Sequence, residues 1–459
     1  MTTTVADGLR AARHARLRAA LPDHLERLTW SAERIRAHQR DRLRALLHHA
    51  KARSPFHAER LAGVDPARFE LDDLQSLPTM TKAEMMANLD RLLTDPRLSR
   101  AALEEHLARS TAEATELLGE YAVLASGGSS GERGVFAYGA DAIVDYTLGL
   151  TRAGLGRLVA LGPPPPGGVP MAMVAAAAPI HATRALPDLF GGDLLATTSV
   201  PVTLPLPEIV ARLNRAQPVL LQGYPSVLSL LAAERAAGRL QVAPMAVTGS
   251  SEQFLPDARA RVAAAFGVPV VDQFGSTEGV LGASAPDDAA IVLAGDLAIV
   301  ELVDERNRPV PPGTPSAKAL VTNLMNPTQP LIRYELTDRF VRQPDAAGHG
   351  HLRVTVEGRA DELLGYGEVV VHPLVVRSVL VEAPEVVEYQ VTQSRRGVQV
   401  AVVAPGGVDA PALAARLAAA LGGAGVRGAE VTVEPVTAIA RHPATGKARR
   451  FLTLPGGAR

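Results

Sequence analysis

Val268-Pro269-Val270-Val271, followed at once by Asp272-Gln273-Phe274-Gly275-Ser276-Thr277-Glu278-Gly279, is the stretch whose reading decides the fold. The valine-rich run reads as a short buried strand, and the Gly/Ser/Thr-containing run after it reads as a loop. A loop at the carboxyl end of a sheet strand is where open α/β folds bind ligands. This one offers the aromatic face of Phe274, the hydroxyl of Thr277 and the carboxylate of Glu278, which suit a base, a phosphate and Mg²⁺. Taken alone, the same residues also read as a tight turn carrying a solvated glutamate.

Outward from this stretch the pattern stays α/β. Short β-rich runs such as Ile299 to Val303 alternate with helices such as Leu206 to Ala216 and Ser226 to Ala237, predicting a buried mixed or parallel sheet. Met171 to Ile180, the most apolar run, reads as a buried strand. It is too short for the roughly 18 to 20 residues a membrane span needs. Residues 1 to about 60 carry helical periodicity through Leu17, Leu21, Leu25, Leu28, Ile35, Leu43, Leu46 and Leu47. Asp23, Glu26, Glu33 and Asp41 argue against a transit peptide there. Thr81 and Glu84 have the spacing of a helix N-cap and capping box. After Gly358 short strands and two helices, Leu374 to Val381 and Ala410 to Leu421, suffice for a separate compact domain. The fold class is therefore α/β, with a large N-terminal domain over residues 1–357 and a small α+β domain over 358–459.

The chain has 459 residues, 47 basic against 48 acidic, so no global field draws it to nucleic acid or to an anionic membrane. A small-molecule partner is expected, and a homodimer is compatible with the sequence. With no cysteine, disulfides, thiolate zinc sites and cysteine nucleophiles are all excluded. His349 and His351 lie in a Gly-rich turn without the helical spacing of catalytic zinc ligands. Lys51, Lys82, Lys318 and Lys447 are the only lysines.

Four further segments carry chemistry. Ser126-Gly127-Gly128-Ser129-Ser130-Gly131-Glu132-Arg133-Gly134 lies between the apolar runs Tyr121 to Ala125 and Val135 to Tyr138. Its glycines let backbone N–H groups converge on phosphate, and its serines add donors. It is not a Walker loop, and by itself it reads first as a plain hairpin loop. Leu331 to Asp338 ends on an aspartate able to accept both ribose hydroxyls, and Gly358-Arg359-Ala360-Asp361-Glu362 puts an arginine at the domain boundary. His442-Pro443-Ala444-Thr445-Gly446-Lys447 places a lysine on a glycine-containing loop, which otherwise reads as a solvated basic tail.

In their order and spacing these five segments resemble the adenylate-forming superfamily of acyl-CoA synthetases, adenylation domains and luciferases. Ser54-Pro55-Phe56-His57, Leu77 to Lys82 and Gly223-Tyr224-Pro225-Ser226 make the chain most similar to the phenylacetate–coenzyme A ligase branch. The resemblance runs over roughly residues 40 to 455. It implies that Ser126, Gly128, Ser129, Ser130 and Gly131 close over the β- and γ-phosphates of ATP. Phe274 stacks on adenine, Thr277 touches the α-phosphate, and Glu278 holds Mg²⁺. Asp272, Gly275 and Ser276 complete that nucleotide-binding segment, while Gly249-Ser250-Ser251-Glu252 flanks the nucleotide and acid pocket. Asp338 binds ribose, Arg359 contacts the nucleotide from the hinge, and Asp361 is the pivot of a mobile small domain. Lys447 bridges the α-phosphate and the acid. His181 and Tyr224 are the candidate acid neighbours, although His181 by itself reads first as a simple buried histidine.

The implied reaction joins a small, aromatic carboxylic acid to AMP with release of pyrophosphate and passes the acyl group to coenzyme A, in the cytoplasm. Gly365 to Pro373 departs from the pattern that lines a pantetheine channel, so an amine acceptor is the alternative, as is activation of an unusual acid such as nitrite. A non-catalytic nucleotide-binding protein is the rival of another class; the presence of both Glu278 and Lys447 argues against it.

Overall fold

The computed structural model describes residues 5–110, 114–126, 134–162, 165–175, 185–186, 189–190, 195–202, 204–359, 364–367, 369–371, 373–383, 385–441 and 448–454. The chain divides into two compact units. One comprises Met1–Pro170, Ala178–Thr197 and Val271–Glu357, the other Met171–Ala177, Thr198–Val270 and Gly358–Arg459.

The first unit opens with the helices Val5–Arg27 and Ala32–Arg53. Leu43, Leu46, Leu47 and Ala50 of the second are buried with Leu324 and Ile332 in one cluster, so its leucine spacing marks the packed face. Thr81 accepts the Glu84 amide at 3.2 Å and starts the helix Lys82–Ala87, the cap expected from the sequence. The strands Tyr121–Ala125 and Val135–Tyr138 pair antiparallel, Ala125 opposite Val135, and every residue of both is buried. A strand with both faces covered needs apolar residues throughout rather than alternation, which is what these runs supply. Five strands of this unit lie in the order Asp338–Arg342, Arg353–Arg359, Ile291–Leu293, Leu281–Ser284, Val270–Gly275.

The second unit carries the strands Ala246–Ser250, Leu220–Gly223, Val169–Ala175 and Leu195–Pro201 in that order. The pairs among the first three are parallel. The helices Leu206–Ala216, Pro225–Ala236 and Pro256–Phe266 follow its strands, as parallel crossovers require. Its C-terminal part has a four-stranded sheet of its own, ordered Glu430–Pro435, Gly397–Val403, Glu388–Gln393, Phe451–Leu452. Leu413, Leu417 and Leu421, one face of the helix Ala410–Gly423, are buried in a cluster with Val391, Val400 and Phe451. The molecule is thus a mixed α/β protein with a smaller C-terminal α+β part, the class read from the sequence. Among the described residues no helix is long and apolar enough to cross a membrane.

Candidate functional site

The decisive stretch is built differently from its sequence reading. The strand begins at Val270 and runs through Gly275, so Asp272 and Phe274 are strand residues. Pairing with Leu281–Ser284, Gln273 opposite Ala283, extends it, and the turn is confined to residues 276–279. That turn is locked by its own groups. Gly279 N–H donates to the Ser276 carbonyl at 3.0 Å, and Val280 N–H donates to Ser276 Oγ at 3.2 Å. Gly279 has φ +102°, and a Cβ there would lie 2.3 Å from Asn323 Nδ2, so both conformation and space demand glycine.

Surrounding side chains fix the turn from three directions. Tyr138 Oη donates to the Thr277 carbonyl at 2.6 Å, Tyr146 Oη to the Ser276 carbonyl at 3.1 Å, and Asn323 Nδ2 to the Glu278 carbonyl at 2.9 Å. Glu278 is buried, and Tyr334 Oη lies 3.4 Å from its Oε1. Burial, and then the Glu278 charge, raise the phenol of Tyr146; burial raises Tyr138 well above its ordinary value, with Tyr146 and Glu278 adding to it. Both phenols therefore stay protonated donors at neutral pH.

Tyr138 ends the strand that follows the Gly/Ser segment, so one hydrogen bond ties the two motifs. Ser126 and Gly134 close the base of that segment: Gly134 N–H donates to Ser126 Oγ at 2.9 Å, and Ser126 N–H to the Gly134 carbonyl at 2.9 Å. Lys82 Nζ lies 3.5 Å from Ser126 Oγ, placing a cation at this base. The other edge of Val135–Tyr138 is satisfied by side chains. Gln329 Oε1 accepts from Ala137 N–H at 2.8 Å, and Asn326 Nδ2 donates to the Ala137 carbonyl at 2.9 Å. Asn323, Asn326 and Gln329 are all buried.

Phe274 meets Phe340 edge to face at 5.2 Å between ring centroids. Asp338 and Phe340 alternate on the strand Asp338–Arg342 and so share a face. The first unit thus holds Asp272, Phe274, Gly275, Ser276, Thr277 and Glu278 on one strand and turn, with Asp338 on the strand whose Phe340 meets Phe274; Ser126 belongs to the same unit, at the other end of the hairpin from Tyr138. Asp272 N–H donates to Ser284 Oγ at 2.8 Å, so its backbone belongs to the ladder region.

The remaining expected residues fall elsewhere. Gly249 and Ser250 end the strand Ala246–Ser250 of the second unit and Ser251 and Glu252 follow it; Gln222 Nε2 donates to the buried Ser250 Oγ at 3.3 Å. A Cβ on Gly249 would lie 2.3 Å from the Phe254 ring, so the loop is close-packed there. Tyr224, the N-cap of Pro225–Ala236, is fully buried. Arg359 ends the strand Arg353–Arg359. Gly128, Ser129, Ser130, Gly131, His181, Asp361 and Lys447 lie outside the described residues.

Nothing local in the sequence gives Tyr138, Tyr146, Asn323, Tyr334 or Lys82 a role of its own. The available signal was composition: in a chain with 7 tyrosines, those inside apolar runs must find hydroxyl partners when buried. Which carbonyls they reach depends on residues more than a hundred positions away.

No family model matches the sequence, and no curated protein matches it. Solved structures do. A 2-hydroxyisobutyryl-CoA ligase in its postadenylation state with R3-HIB-AMP is 18% identical over 93% of this chain and 91% of that one, with a TM-score of 0.68. An anthranilate CoA ligase in complex with anthranoyl-AMP is 17% identical over 71% and 65%, with a TM-score of 0.50. The amide bond synthetase McbA from Marinactinospora thermotolerans is 19% identical over 70% and 67%, with a TM-score of 0.51. The chain has the fold of the adenylate-forming ligases.

Proposed function

We propose that this protein is an ATP-dependent adenylate-forming ligase of the phenylacetate–coenzyme A ligase kind. It condenses a small carboxylic acid with ATP to an acyl-adenylate and pyrophosphate, then transfers the acyl group to coenzyme A. The observation that carries the reading is the 2.6 Å bond from Tyr138 Oη to the Thr277 carbonyl. It fastens the far end of the strand that leaves the Gly/Ser segment to the turn bearing Thr277 and Glu278, so both motifs belong to one packed piece on which a triphosphate and its metal would bind.

The reaction is an in-line attack of the acid's carboxylate oxygen on the α-phosphorus, which forms the acyl–phosphate bond and breaks the bond to the β-phosphate oxygen. Such a step needs positioning and charge neutralisation from the protein rather than covalent catalysis. In this reading Thr277 donates to the α-phosphate, Phe274 offers its ring to adenine and Asp338 accepts from ribose. Lys82 and the Ser126–Gly134 base supply positive potential and donors for the β- and γ-phosphates. Glu278, an oxygen donor on a turn held by Tyr138, Tyr146 and Asn323, fits Mg²⁺, which binds through one or two carboxylates plus phosphate oxygens. When bound, Mg²⁺ would neutralise the charge of the departing pyrophosphate. Residues 358–459 are proposed as the small domain that brings Lys447 to the α-phosphate and pivots at Asp361, with Arg359 beside the nucleotide. Gly249, Ser250 and Ser251, with His181 and Tyr224, are proposed on the acid side.

Support for coenzyme A comes from the two CoA ligases sharing this fold; the amide bond synthetase with the same fold supports an amine as second acceptor. The deciding experiment mixes protein and MgATP with a panel of aryl acids, short aliphatic acids and nitrite and follows pyrophosphate. Acid-dependent release is expected, with coenzyme A then consumed. ATP binding without release for any acid would favour a non-catalytic nucleotide-binding protein. Release with amine rather than thiol consumption would move the acceptor to the amide reading.

A further inference from the structure

Glu252 follows the Gly249-Ser250-Ser251 segment, and its carboxylate is engaged within its own unit. Its side chain is only 7% exposed. Oε2 accepts the Ser226 amide at 3.1 Å. Ser226 is the second residue of the helix Pro225–Ala236, whose first amides have no acceptor inside the helix, so the carboxylate meets both an orphan donor and the positive end of the helix. Oε1 accepts the Ala448 amide at 2.8 Å. Arg441 completes the arrangement. Its Nη1 donates to Ser226 Oγ at 3.0 Å and lies 4.0 Å from Glu252 Oε1, while its Nη2 donates to Glu388 Oε1 at 3.1 Å. The Glu388 carboxyl is buried, and burial raises its pKa against the opposing pull of Arg441. Arg441 and Ala448 form an antiparallel backbone bridge, so Glu252 holds one end of a bridge whose other end Glu388 holds. Next to Glu252, Gln253 Oε1 accepts from Arg377 Nη1 at 2.5 Å.

We infer that Glu252 is a positioning residue for adenylation, acting through Ala448, the residue that follows Lys447 in the chain, rather than by contact with the nucleotide. The inference rests on the adenylation reading and assigns a part in it to a carboxylate that the resemblance placed among nucleotide-pocket residues. A carboxylate suits the role because it is acceptor-only and can serve two amides with two oxygens. A glutamine offers one oxygen, and its NH₂ would face a second N–H donor.

The test compares full-length wild type with Glu252→Ala, Glu252→Gln and Arg441→Lys, the last keeping a cation beside the buried Glu388. Four quantities are read: pyrophosphate release with ATP and the preferred acid, ATP affinity by calorimetry, product formation from prepared acyl-adenylate, and hydrogen exchange at the Ala448 amide. Glu252→Ala is expected to slow pyrophosphate release about 30-fold or more, the scale on which misplacing a catalytic group is felt. ATP affinity should stay within about twofold and use of prepared adenylate within about threefold, while Ala448 exchange quickens about tenfold on loss of its acceptor. Glu252→Gln should fall between, and Arg441→Lys should change the rate in the same direction. A loss of ATP affinity matching the loss of rate would overturn the inference in favour of nucleotide contact. Equal losses in both half-reactions would reduce Glu252 to a general structural role, and unchanged Ala448 exchange would remove the clasp itself. A wild type that releases no pyrophosphate overturns the functional reading and the catalytic part of this inference with it; the clasp is then decided by exchange alone.

Discussion

At Glu278 the backbone and the side chain have separate anchors. The carbonyl is held by Asn323 Nδ2, and Tyr334 Oη is beside the buried carboxylate. Glu278→Gln should therefore keep its place in the turn while losing the negative charge that suits Mg²⁺. The expected outcome is an adenylation rate lower by about a hundredfold or more, near 2.7 kcal/mol of barrier. Near-normal turnover at saturating Mg²⁺ would remove Glu278 from metal binding. Asp338 is different, because it begins a strand whose register is set by neighbours: Phe340 N–H donates to Ser316 Oγ at 3.0 Å, and Arg339 Nε to the Ser316 carbonyl at 3.0 Å. Asp338→Ala should leave a folded protein and raise the KM for ATP, since losing charge-assisted bonds to ribose costs about 1.5 to 3 kcal/mol. Unchanged ATP affinity by calorimetry would contradict the ribose role. At this scale the sequence offers candidate residues for the chemistry, but not what holds them. Arg333, adjacent to Tyr334, sits at φ +50° and pairs with Glu301 through two bonds of 3.0 Å, a strained and buried anchor that nothing local announces.

Elements were legible where local patterning decided them. The hairpin strands Tyr121–Ala125 and Val135–Tyr138 and the helices Leu206–Ala216 and Leu374–Val381 have the bounds their apolar runs suggest. The strand Val270–Gly275 was misplaced by its polar and glycine residues, because its ladder comes from pairing with Leu281–Ser284 rather than from its own propensity. How elements meet was not legible at all, and Asp296 shows why. Its buried carboxylate takes two bonds from Arg152, at 2.7 and 2.6 Å, on the helix Ala140–Ala160, and Arg27 at the end of Val5–Arg27 lies 3.6 Å away. His38 and Gln39 of Ala32–Arg53 reach the carbonyls of Asp296 and Gly295. Three helices thus converge on one turn through residues scattered along the chain. Burial alone would raise the Asp296 pKa, but the Arg152 bonds and charge hold it at about 2, below the ordinary 3.8. A depressed folded-state pKa means that this stabilisation is fully present above the ordinary value and is lost as pH falls from there through the folded value. Asp296→Asn should lower the urea midpoint at pH 7, the loss of unfolding free energy being up to about 3 to 5 kcal/mol for a broken buried pair. It should also flatten the acid dependence of that midpoint below pH 4. Parallel acid slopes in mutant and wild type would assign the acid sensitivity to other carboxylates.

For the whole molecule, residues 198–270 group with 358–459, a partition that contacts such as Glu252 with Ala448 create and that no composition shift reveals. The chemistry proposed has two steps with opposite needs. Charge neutralisation at the α-phosphate is required while the acid attacks, but the adenylate's carbonyl must then be reached by a second nucleophile. A lysine bridging phosphate and carboxylate serves the first step and obstructs the second. Lys447→Ala should therefore slow adenylation about 10²- to 10³-fold, the scale for removing one preorganised charge-stabilising donor. Conversion of chemically prepared acyl-adenylate with the preferred acceptor should proceed at the wild-type rate. A lysine with only a structural role would weaken both steps alike, because a misplaced C-terminal segment harms whatever the site does next. The measurement is product formation by mutant and wild type in each half-reaction separately; equal loss in both would sink the two-step use of Lys447, while loss confined to adenylation would assign the lysine to the first step alone.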